Sequence, residues 1–292
     1  MAKLLSGREV CESLNKNLIA RSAALAEKGV IPTLAIIRVG EDPADISYEN
    51  GAMKRAELVG VKIVNFPLPG TCAKEELLAV IDRVNADDQI HGCLLLRPLP
   101  GHLKPFSDEI CNRLDPGKDV DSMTSLSNAG VYEGRDDLGF PPCTAQACIE
   151  ILDHYCYDYS GKRATVMGRS LVIGRPITLM LQHRNCTVTT IHTRTRDPMA
   201  YLPWSDLIIC AAGRLNCVNG THVAPNQWII DVSMNWNPEK ITAKGKGGMQ
   251  GDCDFDAVEP IVGAITPVPG GVGTVTTSVL MKHVIIAAER TC

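Results

Sequence analysis

Apolar residues recur at helical spacing from Val10 to about Lys28 (Val10, Leu14, Leu18, Ile19, Leu25), which predicts an opening helix. The pattern then shortens to the β-branched run Thr33–Val39, closed by the turn Gly40-Glu41-Asp42-Pro43. Tyr48 to Val59, stopped by Gly60, reads as a second helix, and Val61 to Phe66 as a second strand. Lys74 to Asn85 is again helical, and Gly92 to Leu96 is a third strand ending at Pro98-Leu99-Pro100. Strands that alternate with helices pair in parallel and carry helices on both faces of the sheet.

The periodicity weakens between Asp115 and Pro142, where Pro116, Gly117, Asn128, Gly130, Gly134 and Gly139 mark a linking or site-forming region. Thr144 to His154 predicts a helix with Thr144 as its N-cap. A buried strand from Ala164 breaks at Gly168, a helix runs to about Arg184, and Thr187 to Ile191 forms the next strand. Asp206–Ala211, Trp228–Val232 and the weaker Gly263–Thr266 extend the same sheet, and a helix from about Val275 to Ala288 follows. Because that helix begins after the second sheet is complete, it is expected to pack on the first domain and make it discontinuous.

A chain of 292 residues suits two domains of ordinary size. Hydrophobic content of 45%, charged content of 21% and a mean hydropathy of +0.02 describe a soluble globular protein. A net charge of −4 leaves no basic footprint and argues against a nucleic-acid partner. No apolar run approaches the roughly 18 residues of a membrane span, and MAKLLSGREV lacks the apolar stretch of a secretory signal. A cytoplasmic protein with no membrane partner is the expectation. The 12 cysteines lie far apart, without a C-x-x-C pair or zinc spacing, and Cys93, Cys186 and Cys210 sit inside apolar runs. They read as reduced structural thiols, with no metal site expected.

Candidate chemistry begins at Gly168-Arg169-Ser170 and Gly174-Arg175-Pro176. Glycines at a strand-to-helix turn let backbone approach a pyrophosphate, and the following helix offers free N–H groups to its charge. The spacing departs from G-x-G-x-x-G and is equally that of an ordinary turn. The second strand ends in His192-Thr193-Arg194-Thr195-Arg196, with no acid before Asp197. An Asp or Glu there selects NAD, whereas an Arg accommodates the 2′-phosphate of NADP, so this end favours NADP. Arg194 and Arg196 as solvated loop charges are the plain alternative.

Seven pieces together resemble one family, the bifunctional methylenetetrahydrofolate dehydrogenase/cyclohydrolases. In order they are Gly40-Glu-Asp-Pro43 with Ser47-Tyr48, Arg97-Pro-Leu-Pro100, Pro116-Gly-Lys-Asp-Val-Asp121, Pro142-Cys-Thr144, Gly168-Arg-Ser170 with Gly174-Arg-Pro176, Gly251-Asp-Cys-Asp-Phe255, and Thr266-Pro-Val-Pro-Gly-Gly-Val-Gly273. The resemblance implies a folate domain of residues 1–142 plus 275–292 and a Rossmann-like, doubly wound parallel-sheet NADP domain of residues 143–274. It implies NADP-linked oxidation of 5,10-methylenetetrahydrofolate to the methenyl form in one-carbon metabolism, then, in most members, hydrolysis to 10-formyltetrahydrofolate. Tetrahydrofolate derivatives are the implied partners, and a homodimer the implied assembly.

The same resemblance places Tyr48 against a pterin or aminobenzoate ring and Asp121 on the pterin's amide and amino donors, a charge-assisted pairing. Without it, Tyr48 reads as core and Lys118–Asp121 as a charged loop. Leu96, Pro98, Pro269, Gly270 and Gly271 are carried over as substrate-side residues. The Pro267–Gly273 run, rigid and then permissive, suits backbone held against a ligand, and reads on composition alone as a domain-joining turn. The cofactor set is Gly168, Arg169, Ser170, Gly174, Arg175, Pro176, Thr193 and Arg194.

Two departures bear on hydrolysis. The family's proton-handling Lys, four residues after the Tyr, corresponds to Ala52, and the Gln that positions it corresponds to Leu96. Lys54 is the candidate substitute in catalysis, but on a regular helix it lies roughly 240° around from Tyr48, so it serves only if the helix start is shifted. Ala145, Thr274 and Ser233-Met234 also depart from the family pattern. The expectation is therefore a dehydrogenase whose cyclohydrolase step is in doubt, with the fully bifunctional enzyme as the alternative and a folate-binding protein without turnover as the remote one.

Overall fold

Two parallel sheets organise the chain, and the computed structural model, which describes residues 1–242 and 245–292, divides into one unit around each. A three-stranded unit comprises residues 12–143 and 277–292, and a six-stranded unit comprises residues 1–11 and 144–276. The chain enters through β1 (Lys3–Leu4) and α1 (Gly7–Glu27).

In the three-stranded unit β2 (Thr33–Val39) is flanked in parallel by β3 and β4, after α2 (Pro43–Val59), β3 (Lys62–Leu68), α3 (Lys74–Ala86) and β4 (Gly92–Leu95) have followed in sequence. All of β2 but Arg38 is buried, as an apolar, β-branched central strand should be. Ile37, Leu77, Ile81, Ile110 and Leu114 form much of the core on one side. Gly92 is required at the start of β4, because a Cβ there would lie 2.7 Å from Val120 and 3.1 Å from Val284. A short helix α4 (Ser107–Arg113) precedes the region of weak periodicity, and α5 (Ser125–Glu133) lies within it, capped by Thr124 Oγ1 accepting from Ser127 N at 3.1 Å.

Helix α2 begins five residues before the expected start at Tyr48. Asp42 is its N-cap, accepting from Ala44 N at 2.8 Å, and Pro43 occupies the first turn, where its missing N–H leaves no bond unmade. Gly60, at φ 76°, ends it. Helix α6 (Cys143–His154) also starts early, so Thr144 is not its N-cap. Asp121 Oδ1 accepts the Cys143 N–H at 2.9 Å and supplies from a distant loop the acceptor a local cap would provide.

The six-stranded unit holds β5 (Arg163–Met167), α7 (Gly174–Gln182), β6 (Thr187–Ile191), β7 (Leu207–Cys210) and β8 (Trp228–Asp231). Then come the hairpin β9 (Asn235–Thr242) and β10 (Gly245–Gln250), α8 (Phe255–Val258), β11 (Ala264–Ile265) and the start of α9 (Val272–Glu289), whose residues from Thr277 onward belong to the three-stranded unit. Its sheet order is β6-β5-β7-β8-β11-β1, parallel throughout, so the order reverses direction at β5. Residues 1–11 were expected with residues 12–142. They belong here instead, because Lys3 and Leu4 pair with Ala264 and Ile265 as the sheet's edge strand, a bond pattern too short to leave a periodicity. The hairpin was also unforeseen, since none of its described positions is buried and its strands include Pro238, Gly247 and Gly248.

Candidate active site

At the carboxyl end of a parallel sheet each strand hands over to a loop, and ligands of open α/β folds bind there. In the three-stranded unit this end carries Gly40 after β2, Leu96-Arg97-Pro98 after β4, and Asp119–Asp121, which lies beside β4 through a bridge between Cys93 and Asp119.

The two carboxylates of Asp119-Val-Asp121 have different tasks. Asp119 is fully buried and accepts from Met123 N at 2.9 Å and Thr124 N at 2.8 Å, which folds the turn onto itself. Asp121 gives Oδ1 to Cys143 N, while its Oδ2 lies 4.0 Å from Arg97 Nη2, on a side chain 26% exposed. Burial pushes the Asp121 carboxyl above its ordinary range, the Cys143 N–H and Arg97 draw it down, and Asp119 pushes it up. Ser122, next in the turn, is held at φ 53°, and its buried hydroxyl has no partner among the described residues.

Tyr48 is half-buried on α2, and Glu49, Ala52, Ala56 and Val59 form the buried face of that helix. Ala52 is 0% exposed, and Lys54 is exposed. The shifted start that would turn Lys54 toward Tyr48 is not present, because α2 is continuous from Pro43 and its fourth and sixth residues after Tyr48 diverge by about 200°. Beside Ala52 on the same face Glu49 accepts from Arg38 Nε at 2.7 Å, a largely buried ion pair. Leu96 is buried and offers no polar atom, Pro98 is exposed, and Arg97 between them is one-third exposed. Arg38, Glu49, Arg97 and Cys143 were not singled out from the sequence. Arg38 was the most legible, as a charge inside an apolar strand requires a partner.

In the six-stranded unit β5 ends in Gly168, at φ 119°, and α7 begins at Gly174. A Cβ on Gly168 would run into the Ala211 carbonyl, and one on Gly174 into the Gly168 carbonyl, so both glycines are needed for strand, loop and helix to pass this closely. Ser170 Oγ accepts from Ile173 N at 3.3 Å inside the loop. Arg169, Ser170 and Arg175 are exposed and Pro176 is buried. After β6, the strand adjacent to β5, Thr195 Oγ1 accepts from His192 N at 2.9 Å, and Thr193 and Arg194 are left exposed at the turn. A glycine cradle at the point where strand order reverses, with Arg169 exposed in the loop and Arg175 exposed in the first turn of α7, fits a dinucleotide.

Pro269 and Gly270 are exposed and Gly271 is buried. Gly270 O accepts from Gly7 N at 2.8 Å, which ties this loop to the start of α1. A cavity of about 160 Å³ runs along Asp231, Met234 and residues 267–274. The Gly251-Asp-Cys motif does not line this cavity, and its carboxylate is taken up by hydrogen bonds within the unit. Asp252, fully buried, accepts from Ala212 N, Gly213 N, Arg214 N, Ser233 Oγ and Asn235 Nδ2 at 2.6–3.2 Å. Asp231 accepts from Asp252 N and Cys253 N, and burial pushes its carboxyl up to about 7.

The geometry thus defines a two-unit α/β protein of the dinucleotide-binding class, with a second parallel sheet beside which one half-buried carboxylate, Asp121, is presented. Residues 5–121 match the catalytic domain of tetrahydrofolate dehydrogenase/cyclohydrolase, and residues 142–292 match the NAD(P)-binding domain of the same enzymes. The chain belongs to this tetrahydrofolate dehydrogenase/cyclohydrolase family. It is 43% identical over 289 residues to the bifunctional protein FolD of Carboxydothermus hydrogenoformans, covering 99% of this chain and 98% of that one. The bifunctional FolD enzyme of Campylobacter jejuni has the same fold, with a TM-score of 0.93 at 33% identity over all of both chains. The FolD of Trypanosoma brucei, solved with NADP cofactor and inhibitor, superposes with a TM-score of 0.91 at 29% identity, covering 99% of this chain and 98% of that one.

Proposed function

We propose that this chain is an NADP-dependent methylenetetrahydrofolate dehydrogenase of one-carbon metabolism, with the three-stranded unit holding the folate and the six-stranded unit the dinucleotide. The observation that carries the reading is Asp121. Its Oδ1 is spent on Cys143 N, and no backbone N–H among the described residues takes Oδ2, so a carboxylate oxygen is available to pterin donors. Tyr48, half-buried on α2 of the same unit, supplies a ring for stacking.

NADP, when bound, accepts the hydride. The residues that would hold it are Gly168, Arg169, Ser170, Gly174 and Arg175 at the pyrophosphate, and Thr193 and Arg194 at the 2′-phosphate. The protein's part in the transfer is to bind both ligands, fix their orientation and exclude water. Pro269, Gly270 and Gly271 offer backbone rather than side chains to whichever ligand lies along residues 267–274.

The second reading, an enzyme that also hydrolyses the methenyl product, is favoured by the bifunctional relatives. Against it stands Ala52, a buried methyl where that chemistry requires proton handling, worth about 10²–10⁴-fold in rate. Methenyl formation with NADP and methenyl hydrolysis, assayed separately on the unmodified protein, test both. Dehydrogenation with accumulating methenyl product supports the first reading, and hydrolysis that keeps pace with it establishes the second. Absence of NADP-linked methenyl formation sinks both. Arg194→Asp is expected to lower NADP kcat/KM by about tenfold or more and leave NAD less affected, because a charge-assisted contact becomes a repulsion. A homodimer is part of the same reading and is tested by light scattering.

A further inference from the structure

Asp121 is held from two sides. On one, the backbone N–H that opens α6 donates to Oδ1 at 2.9 Å. On the other, Arg97 Nη2 stands 4.0 Å from Oδ2, near enough for strong attraction and too far for a hydrogen bond that would occupy the oxygen. The Arg97 side chain is 32% exposed and lies two residues beyond the end of β4, just after Leu96, whose N–H still donates to Ile37 O of β2 at 3.0 Å. The groups recorded around Asp121 are few. Asp119 faces it from the same turn, Cys143 from α6, and Arg97 from just beyond β4, while His283 Nδ1–H of α9 donates to Val120 O at 2.9 Å and lies 3.8 Å from Cys143 Sγ. Among these Arg97 is the permanent cation. The helix that carries Tyr48 provides none on its buried face, since Ala52 is a methyl and Lys54 points to solvent.

We propose that Arg97 is a positioning residue for the folate pocket, which keeps Asp121 ionised and its Oδ2 turned toward the pterin's donors. The inference rests on the folate reading of Asp121 and adds to it the group that makes that carboxylate usable. Two opposing influences make the cation necessary. Burial and Asp119 both favour the protonated acid, whose O–H is the wrong partner for a donor, and Arg97 and the Cys143 N–H oppose them. Without Arg97 the carboxyl therefore titrates at higher pH, and folate binding is lost first on the acid side. Because the pair is partly exposed to solvent, the effect of Arg97 lies at the modest end of what a neighbouring opposite charge exerts.

The experiment compares the unmodified enzyme with Arg97→Gln, Arg97→Lys and Asp121→Asn, measuring kcat, the KM for methylenetetrahydrofolate and the Kd for NADP from pH 6 to 8.5. For Arg97→Gln the acid limb of the folate kcat/KM profile is expected to move to higher pH, with KM raised severalfold at the acid end and progressively less toward pH 8.5. Arg97→Lys should restore most of the profile, and NADP Kd, which also reports that the variants fold, should stay within about twofold. A KM rise of equal size at every pH, or a profile that does not move, overturns the role of Arg97. Asp121→Asn separates the two levels of the argument. If it impairs folate binding while the Arg97→Gln profile is unmoved, the pocket stands and the positioning role falls; if it leaves folate binding intact, the pocket itself is wrong and the proposal falls with it.

Discussion

Each unit contains a pair of buried or half-buried aspartates at the carboxyl end of its sheet, and the pairs are used in opposite ways. In the six-stranded unit Asp252 collects five donors and Asp231 two backbone N–H groups, so both carboxylates are consumed in fastening the loops after β7 and β8. In the three-stranded unit Asp119 does the fastening, and Asp121 keeps an oxygen. The chemical group is the same in all four. What separates a structural acid from a binding acid is how many of its acceptor sites the fold has already filled.

The sharpest way to break the comparison is Asp252→Asn. The amide offers N–H where five donors converge, so at least one repels it and the ionic component of all five is lost. A loss of about 4 kcal/mol in unfolding free energy is expected in urea titrations, together with loss of NADP binding. A variant that unfolds within 1 kcal/mol of the unmodified protein would show that Asp252 is not the fastening acid (threshold from the usual scatter of about 0.5 kcal/mol for neutral sites).

Asp121→Asn is the mirror case. Stability should fall by only about 1 kcal/mol, since Oδ1 can still accept the Cys143 N–H. Folate KM should rise by about 30- to 150-fold, the value of a charge-assisted hydrogen bond of 2–3 kcal/mol, at unchanged NADP Kd. Parallel loss of folate and NADP binding contradicts the separation of the two roles.

The contrast also explains what the sequence revealed. Alternating helices and strands, the glycine-bounded turn at Gly168 and Gly174, and both aspartate motifs were legible, because a parallel sheet and its turns demand particular residues at particular spacings. Residue pattern alone did not separate Asp121 from Asp252, since both sit in short Gly/Asp runs and differ in which distant N–H groups arrive; only the family resemblance singled out Asp121. Nor did it expose the α2 start, where Asp42-Pro43 serves at once as the end of a turn and as a cap. Edge strand β1 was hidden for another reason: two residues carry no period. Arg97 stood within a motif quoted for its prolines, and its charge acquires meaning only from the 4.0 Å distance to Asp121.

A smaller effect sharpens the binding side. Ser122 adopts a left-handed backbone conformation that L side chains resist, and its buried hydroxyl lacks a partner among the described residues. Ser122→Gly is expected to raise unfolding free energy by about 1 kcal/mol, the relief being offset in part by the more flexible unfolded chain. Unchanged folate KM in the stabilised variant would show that the hydroxyl serves neither ligand nor fold; a raised KM would transfer it to the binding side of the comparison.

The smallest expected effect lies on α2, where two positions only two residues apart separate structure from solvent. Lys54 is exposed on a helix that runs unbroken from Pro43 to Val59, whereas Ala52 is sealed in its buried face beside the Arg38–Glu49 pair. Lys54→Ala should therefore alter stability by no more than about 0.5 kcal/mol and both folate activities by less than about twofold. Ala52→Lys is a different matter despite the family resemblance that suggests it. An ammonium there must desolvate near Arg38, so the variant should lose stability unless Glu49 turns from Arg38 to the new cation. If methenyl hydrolysis in the unmodified protein proves rapid and Lys54→Ala abolishes it, then α2 must rearrange when folate binds, bringing Lys54 round from the solvent side. If hydrolysis is rapid and survives Lys54→Ala, the proton is handled by a group other than either lysine position, and the Asp121 turn is where to look next.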